Sequence, residues 1–394
     1  MKNIFELSLI ELKIIANRLE RKIEEGLTKN RMEIACIPTY ITPSKNIANG
    51  KVLALDWGGT NFRAAIVEFE GGKIKILEIV KDEISAKTLK EQNIKTQESL
   101  FAAMAKVISG LETLDKSVTS IGYCFSYPAQ CQKNGDAVLL EWAKNIYIEE
   151  MLKKTVGRPL LQYLNKHLKT NFKKIKVIND TVACLFAGLD KPNYDNYIGL
   201  IVGTGTNMAA LMHRNKIGKL NDKKNADFIP VNLESGNFNP QYLLEIDDLV
   251  DSRTKNKGVH RFEKAISGLY LCEIFKIMFK NEKFKADFNG KDLSKYISDK
   301  DNSDHCLVAT WIAQRSAKLV AASIAGLVQV LVRHNPKTKK IGLAADGAVF
   351  WETPGYEKWV SDELKKLLPK DIKIKIFREA KEPNLVGSAI GALS

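Results

Sequence analysis

Two Gly- and Thr-rich turns constrain this chain more than any other feature. One is "DWGGTN" at residues 56–61 and the other is "VGTGTN" at residues 202–207. Each closes an apolar run that reads as a strand, "KVLALDW" and "YIGLIV". Further strand-like runs recur, among them "FRAAIVEF", "SIGYCFSYP", "KIKVIND" and "KIGLAADGAVF". Helix-like stretches such as "QESLFAAMAKVISGLETL" and "TWIAQRSAKLVAASIAGLVQVLVRH" separate them. Strands alternating with helices predict an α/β fold. Two similar turns far apart predict two similar lobes, each offering one phosphate-facing turn, with a ligand in the cleft between them. A chain of 394 residues is long enough for two domains, or one large α/β body, without disulfide staples.

The turns point to phosphate chemistry. Glycine lets backbone N–H groups approach an anion closely, because no Cβ intervenes. A threonine hydroxyl adds a donor. An acid beside a phosphate makes sense when Asp56 holds magnesium, directly or through water, and the metal bridges the phosphates. A plain Gly-Gly hairpin is the competing reading of one such turn. The second turn, Gly203, Thr204, Gly205 and Thr206 followed by Asn207, weakens that alternative. Neither is a Walker or dinucleotide loop: both GK[ST] and G-x-G-x-x-G are missing, and a strand rather than a helix follows "DWGGTN".

Other residues suit a proton acceptor and a polyol. Asn179 and Asp180 stand between the strand-like "KVI" and the helix-like "TVACLFAG". There a carboxylate can face a cleft and take a proton; an N-cap is the competing role for Asp180. "VNLESGNF" supplies Asn232 and Glu234, and "HRFEKAISG" supplies Glu263. A polyol needs several acceptors at fixed positions, because each hydroxyl leaving water must find a partner. A solvated surface position is the competing reading of any single Glu.

The net charge of +14 raises the question of nucleic acid. Basic clusters such as "NKHLKTNFKKIK" lack interleaved aromatics, and no helix-turn-helix, zinc-finger or RNP pattern occurs. A Lys-rich solvated face that attracts anionic small molecules is expected instead. Six scattered cysteines without C-x-x-C or zinc spacing predict a reducing, cytoplasmic setting. Leu12, Ile15, Leu19 and Ile23 fall at helical spacing, so the N-terminus reads as a surface amphipathic helix and not a signal peptide. No run of about 18 apolar residues stands out, so no membrane span is expected.

From Ile37 onward the segments, taken in order, resemble the hexokinase family. "IPTY" is similar to that family's "LPTY" entry, and "LALDWGGTNFR" to its "LALDLGGTNFR". "FSYPAQ", "NDTVACLFAG", "GLIVGTGTN", "LVDSRTKNKGVHRFEKAISGLYLCEI", "DGAVF" and "TPGY" each resemble a family segment. The resemblance implies an α/β, actin-like ATPase (ribonuclease H-like) fold with two lobes around a central cleft. A small lobe would span 51–180 with 385–394 returning to it; a large lobe would span 181–384 with the N-terminal helix, 1–50. It implies ATP- and Mg2+-dependent phosphorylation of a hexose, glucose above others, at the 6-hydroxyl, as in the first step of glycolysis. Asp180 becomes the general base. Ser126, Lys144, Asn179, Asn207, Glu234 and Glu263 become sugar ligands. Asp56, Gly58, Gly59, Thr60, Asn61, Thr204 and Gly205 become phosphate contacts, with Asp56 holding magnesium through water. Gly387 and Ser388 remain from the C-terminal nucleotide loop. The expected partners are hexose and ATP, with no nucleic acid, in a monomer or homodimer.

Several positions depart from the family pattern. "W-T-K-G-F" is "WAKNI" here, which places Ala143 where a sugar-contacting Thr is usual. "N-x-E-W-G" is "NLESG", so Ser235 replaces Trp, and "GSGKGAA" is "PNLVGSA". These changes bear on the preferred sugar and the nucleotide pocket, not on Asp180. A kinase preferring fructose, mannose or an amino sugar, and a sugar-binding regulator without catalysis, are the alternatives. Turnover of ATP with a panel of hexoses separates them.

Overall fold

The computed structural model describes residues 2–42, 48–189, 191, 193–221, 227–299, 303–378 and 382–394. They fall into two compact units. The first comprises Ile37–Pro192, Asp227–Asn232 and Glu379–Ser394; the second comprises Met1–Cys36, Asn193–Ala226 and Leu233–Arg378.

In chain order the elements begin with α1 (Leu9–Thr28), β1 (Ile37–Pro38), β2 (Gly50–Trp57), β3 (Asn61–Glu70) and β4 (Lys73–Glu83). Next come α2 (Ala86–Glu91), α3 (Gln97–Ile108), β5 (Ser120–Phe125), β6 (Ala129–Cys131) and β7 (Ala137–Leu139). Then follow α4 (Gly157–His167), β8 (Lys174–Ile178), α5 (Asp180–Gly188), β9 (Asn196–Val202), β10 (Thr206–His213) and β11 (Phe228–Asn232). Four helices come after: α6 (Glu245–Ser252), α7 (Arg261–Ile266), α8 (Gly268–Met278) and α9 (Gly290–Asp299). The chain ends with α10 (Asp304–His334), β12 (Lys340–Asp346), α11 (Ala348–Glu352), α12 (Tyr356–Leu367), β13 (Lys373–Arg378) and α13 (Pro383–Leu393).

The first unit is built on a sheet ordered β4-β3-β2-β5-β8. The hairpin strands β2, β3 and β4 run antiparallel; β5 and β8 join β2 in parallel. β2 is buried without interruption from Val52 to Trp57, the pattern of a strand covered on both faces. Helices α3 and α4 cover it through Leu100, Phe101, Met104, Leu160 and Leu164, which share one core with Leu53, Leu55 and Trp57. The helix α13 lies against β2, β5, β8 and α5. That contact places 181–188 with the first unit rather than after a boundary at 180. Residues 37–38 and 227–232 belong to it as well: β1 pairs antiparallel with β11, β1 contacts β6 and β11 contacts α5.

The second unit repeats the topology. β9 and β10 form an antiparallel hairpin, and β12 and β13 continue from β9 in parallel. Its helices pack around α10, a 31-residue apolar helix contacted by α1, α9 and α12. By length and composition alone α10 could cross a membrane, which the sequence reading did not anticipate; most of it is buried within this unit, as in a core helix. The expected N-terminal helix is α1, started by a capping box in which Ser8 and Glu11 bond each other's backbone N–H. Its Leu12, Ile15, Leu19 and Ile23 are buried. Among the described residues no cysteine forms a disulfide.

Candidate active site

In the first unit the β2–β3 register sets Asp56 opposite Arg63 and Trp57 opposite Phe62, leaving Gly58, Gly59 and Thr60 as the turn. Gly59 has φ of 92°, which L-side chains rarely adopt. A Cβ there would stand 2.7 Å from Lys144 Cδ and 3.0 Å from Tyr127 Oη. Lys144, itself left-handed at φ 59°, donates from Nζ to the carbonyls of Gly58 (2.8 Å) and Ser126 (3.0 Å). The Ser126 N–H donates to the Trp57 carbonyl (3.3 Å). The turn is thereby tied to the end of β5, and Thr60 and Asn61 are exposed beside it.

Asp56 is only 2% exposed. Its Oδ2 accepts from Arg63 Nε at 3.0 Å and from Nη2, while Arg63 Nη1 donates to Glu382. Burial pushes the Asp56 carboxyl above the usual range, and Arg63 pulls the other way. Asn384 Nδ2 lies 3.4 Å from Asp56 Oδ1. Among the described residues no group of three His, Cys, Asp or Glu forms a metal cage. One carboxylate with a lightly used oxygen still fits magnesium, which is usually bound through one or two carboxylates, substrate phosphates and water.

At the β8–α5 junction Asn179 takes the N-cap, its Oδ1 accepting from the Thr181 N–H at 2.9 Å. Asp180 is therefore the first helical residue and not the cap. Its Oδ1 accepts from the same N–H at 2.8 Å, and the carboxylate stays partly exposed. Asn179 also lines a cavity of about 10 Å³ with Thr39, Tyr127, Cys131 and Asn232, room for one water rather than a hexose.

The second unit gathers its own set. Glu263 on α7 accepts from the Thr206 N–H at 3.1 Å, and a Cβ on Gly205 would lie 2.8 Å from Glu263 Oε2. A side chain at 205 would push the Glu263 carboxylate aside. Asn207 Oδ1 accepts from the N–H groups of Met208 (2.7 Å) and Ser235 (3.1 Å). Glu234 is held left-handed at φ 56°, and Gly236 packs on Thr206 and Glu263. Thr204 stands exposed at the turn, with Gly268 N–H donating to the Gly203 carbonyl at 2.7 Å. Behind Glu263, Lys264 is 1% exposed and donates to Asp251 (2.7 Å), Thr254 (2.9 Å) and the Asn256 carbonyl (2.8 Å).

Gly387 and Ser388 take a different role from the expected one. A Cβ on Gly387 would meet the Ala183 carbonyl at 1.9 Å, and the Ser388 hydroxyl is buried and bonded back to Leu385 at 3.0 Å. Both serve helix packing, because α13 sits directly on α5 and on Gly122 of β5. Conversely, sequence reasoning passed over Arg63, Glu382, Asn384 and Lys264. Arg63 could have been found: a hairpin centred between residues 59 and 60 sets it across from Asp56.

Two family models described as hexokinase match the chain, one over residues 1–189 and the other over 197–296 and 278–394. The chain belongs to the hexokinase family. Hexokinases therefore supply its reaction class, ATP-dependent phosphorylation of a hexose. The chain is 30% identical to spinach (Spinacia oleracea) hexokinase-1 over 427 residues, covering 93% of this chain and 82% of that one. It is 26% identical to a Brugia malayi hexokinase, covering 95% and 73%. It spans about half the length, 46%, of horse (Equus caballus) hexokinase-2, with 27% identity over 98% of its own residues. The structure of the Schistosoma mansoni hexokinase complexed with glucose superposes with a TM-score of 0.81 at 25% identity, covering 99% and 96% of the two chains. A Thermus thermophilus ROK hexokinase, at TM-score 0.56 and 17% identity, shares the fold. The actin-like, two-lobed α/β fold implied by the sequence is borne out.

Proposed function

We propose that this hexokinase phosphorylates glucose at the 6-hydroxyl, with Asp180 as the general base and Ser126, Lys144, Asn179, Asn207, Glu234 and Glu263 as sugar ligands. The observation that carries the reading is Asp180 itself. It is a partly exposed carboxylate at a strand-to-helix junction, released from capping by Asn179 and in the same unit as the Asp56–Arg63 turn. Asp180 accepts the proton of the 6-hydroxyl as that oxygen bonds to the γ-phosphorus. The bond from phosphorus to the bridging oxygen breaks, and ADP leaves with the electron pair. Lys144 already gives two of its N–H groups to carbonyls and gives its third to a sugar hydroxyl. Thr60, Asn61 and the backbone of Gly58 and Gly59 face the phosphates on one turn; Thr204 and Gly205 do so on the other. Asp56 would hold magnesium through water, and the ion would supply positive charge beside the phosphates.

Glucose as the preferred hexose is supported by the likeness to the glucose-complexed relative. The test is Asp180→Ala against a panel of hexoses, read as coupled ADP release. We expect kcat to fall about 10²–10⁴-fold with hexose affinity kept within a few fold. Turnover near that of the unaltered enzyme would remove Asp180 from its role.

A further inference from the structure

We infer that the C-terminal segment 382–384 braces Asp56: Glu382, acting through Arg63, and Asn384, acting on the carboxylate itself, are positioning residues that fix how Asp56 faces the phosphates. The inference rests on the reading of Asp56 given above. The segment opens "EPNLVGSA", the stretch in which this chain departs from the family's "GSGKGAA". Arg63 gives Nε and Nη2 to Asp56 and Nη1 to Glu382. Lys144 is engaged elsewhere on the turn, with the Gly58 and Ser126 carbonyls. A guanidinium is a rigid planar fork, so holding Nη1 sets the plane in which Nε and Nη2 meet Asp56. Arg63 is 29% exposed and Asp56 3%. Without Glu382 the arginine is free to turn to water or onto a phosphate oxygen, which suits its fork as well as a carboxylate does.

The brace stands on a fixed base. Glu382 is the N-cap of α13 with φ of 63°, its carbonyl accepts from the N–H groups of Leu385 and Val386, both at 3.1 Å, and its side chain takes no part in capping. Beyond it α13 is seated at two glycines: a Cβ on Gly387 would meet the Ala183 carbonyl at 1.9 Å, and one on Gly122 the Ser388 carbonyl at 2.1 Å. Asn384 Nδ2 lies 3.4 Å from Asp56 Oδ1. A carboxylate only accepts, so the amide must present Nδ2 to it. That choice leaves Asn384 Oδ1 buried, with no partner among the described residues. An unpaired buried oxygen is unfavourable, and an apolar side chain filling the same space would not carry it. What the amide does for Asp56 accounts for it.

The test separates positioning from packing and from charge. In Glu382→Ala, kcat should fall about tenfold, as for a displaced catalytic group. Glucose affinity, read by calorimetry on the full chain, should stay within about twofold. Magnesium-chelated AMPPNP should bind about fivefold more weakly, whereas loss of a negative charge alone would tighten it. Glu382→Gln still accepts from Arg63 and should keep kcat within about threefold. In an Arg63→Met background, Glu382→Ala should change kcat by less than about twofold. Asn384→Leu should lower kcat about tenfold, yet unfold at the same or a higher urea concentration, because the unpaired oxygen is gone. Values of kcat within about twofold of the unaltered enzyme in both Glu382→Ala and Asn384→Leu would overturn the inference. So would equal losses in the Gln and Ala variants, tighter nucleotide binding in Glu382→Ala, or a loss of kcat in Asn384→Leu that is matched by a loss of stability. Asp56→Asn is the reference. If it keeps kcat within about twofold, the magnesium reading of Asp56 falls as well; if it loses activity while the other two variants do not, only this inference falls.

Discussion

Gly59→Ala tests the geometry of the first phosphate turn. Two costs add at this position. The backbone sits at φ 92°, where an L-residue costs about 1–2 kcal/mol. The new methyl would also stand 2.7 Å from Lys144 Cδ, so something must move. The Lys144 stem cannot swing freely, since Nζ is bonded to Gly58 and Ser126. Tyr127 is buried and gives no more room. Overpacking of this kind costs about 1–3 kcal/mol, so the total is about 2–5 kcal/mol. Gly71→Ala is the matched control. Gly71 has φ of 56°, but a Cβ there meets nothing within 4 Å. It should lose only the conformational part, about 1–2 kcal/mol. The difference between the two variants, read from urea unfolding of each, isolates the clash and should be about 1–3 kcal/mol. Because the clash is relieved by moving the turn or Lys144, Gly59→Ala should also lower kcat/KM at least about tenfold, equivalent to 1.4 kcal/mol, while Gly71→Ala should not. Equal stability of the two variants would mean that Lys144 and Tyr127 do not press on the turn.

Three further expectations follow from the second unit and the sugar loop. Glu234→Ala and Glu263→Ala should each raise the hexose requirement, by about 1–3 kcal/mol for hydroxyls left without a partner; unchanged hexose affinity by calorimetry in both would refute the assignment. Lys264→Met should cost about 3–5 kcal/mol, because Asp251 would keep a buried charge without its ammonium; a loss below 1 kcal/mol in chemical unfolding would show that Arg261, also paired with Asp251 at 3.2 Å, suffices. Ala143→Thr should narrow the range of hexoses used, since a Thr hydroxyl penalises a sugar that cannot pair with it by about 1–3 kcal/mol; ratios of kcat/KM for glucose over fructose and mannose within about twofold of the unaltered enzyme would show that position 143 does not set specificity.

Much of the fold was legible because its signals are local. The turns at 58–60 and 203–205 announce themselves through glycine, and the strands before them through continuous apolar runs. Membership in the family was legible from motifs alone. The domain edges were not. Residues 181–188 look like the start of a new segment in the sequence, yet α5 belongs to the first unit because α13, some 200 residues later, packs on it. Gly387 misled for the same reason: a glycine kept for contact with Ala183 looks the same in sequence as one kept for a nucleotide. Lys264 was invisible because a lysine is usually solvated, and only tertiary structure brings Asp251, Thr254 and Asn256 around its ammonium.

Several residues assigned to ligands are already held by protein hydrogen bonds. Glu263 is bonded to the Thr206 N–H, Asn207 to the Ser235 N–H, Lys144 to two carbonyls and Asp56 to Arg63. Such bonds fix rotamers before a substrate arrives, so little side-chain entropy is left to lose on binding. They also mean that a bound sugar or phosphate exchanges with protein partners as well as water, which keeps the net gain per bond near 1 kcal/mol. Affinity should then be modest and selectivity sharp, because a substrate lacking one hydroxyl leaves a fixed, partly buried group that cannot turn elsewhere to find a partner. On the proposed assignment the same fixity serves the chemical step: donors held in place before the phosphates arrive need not reorganise as charge develops.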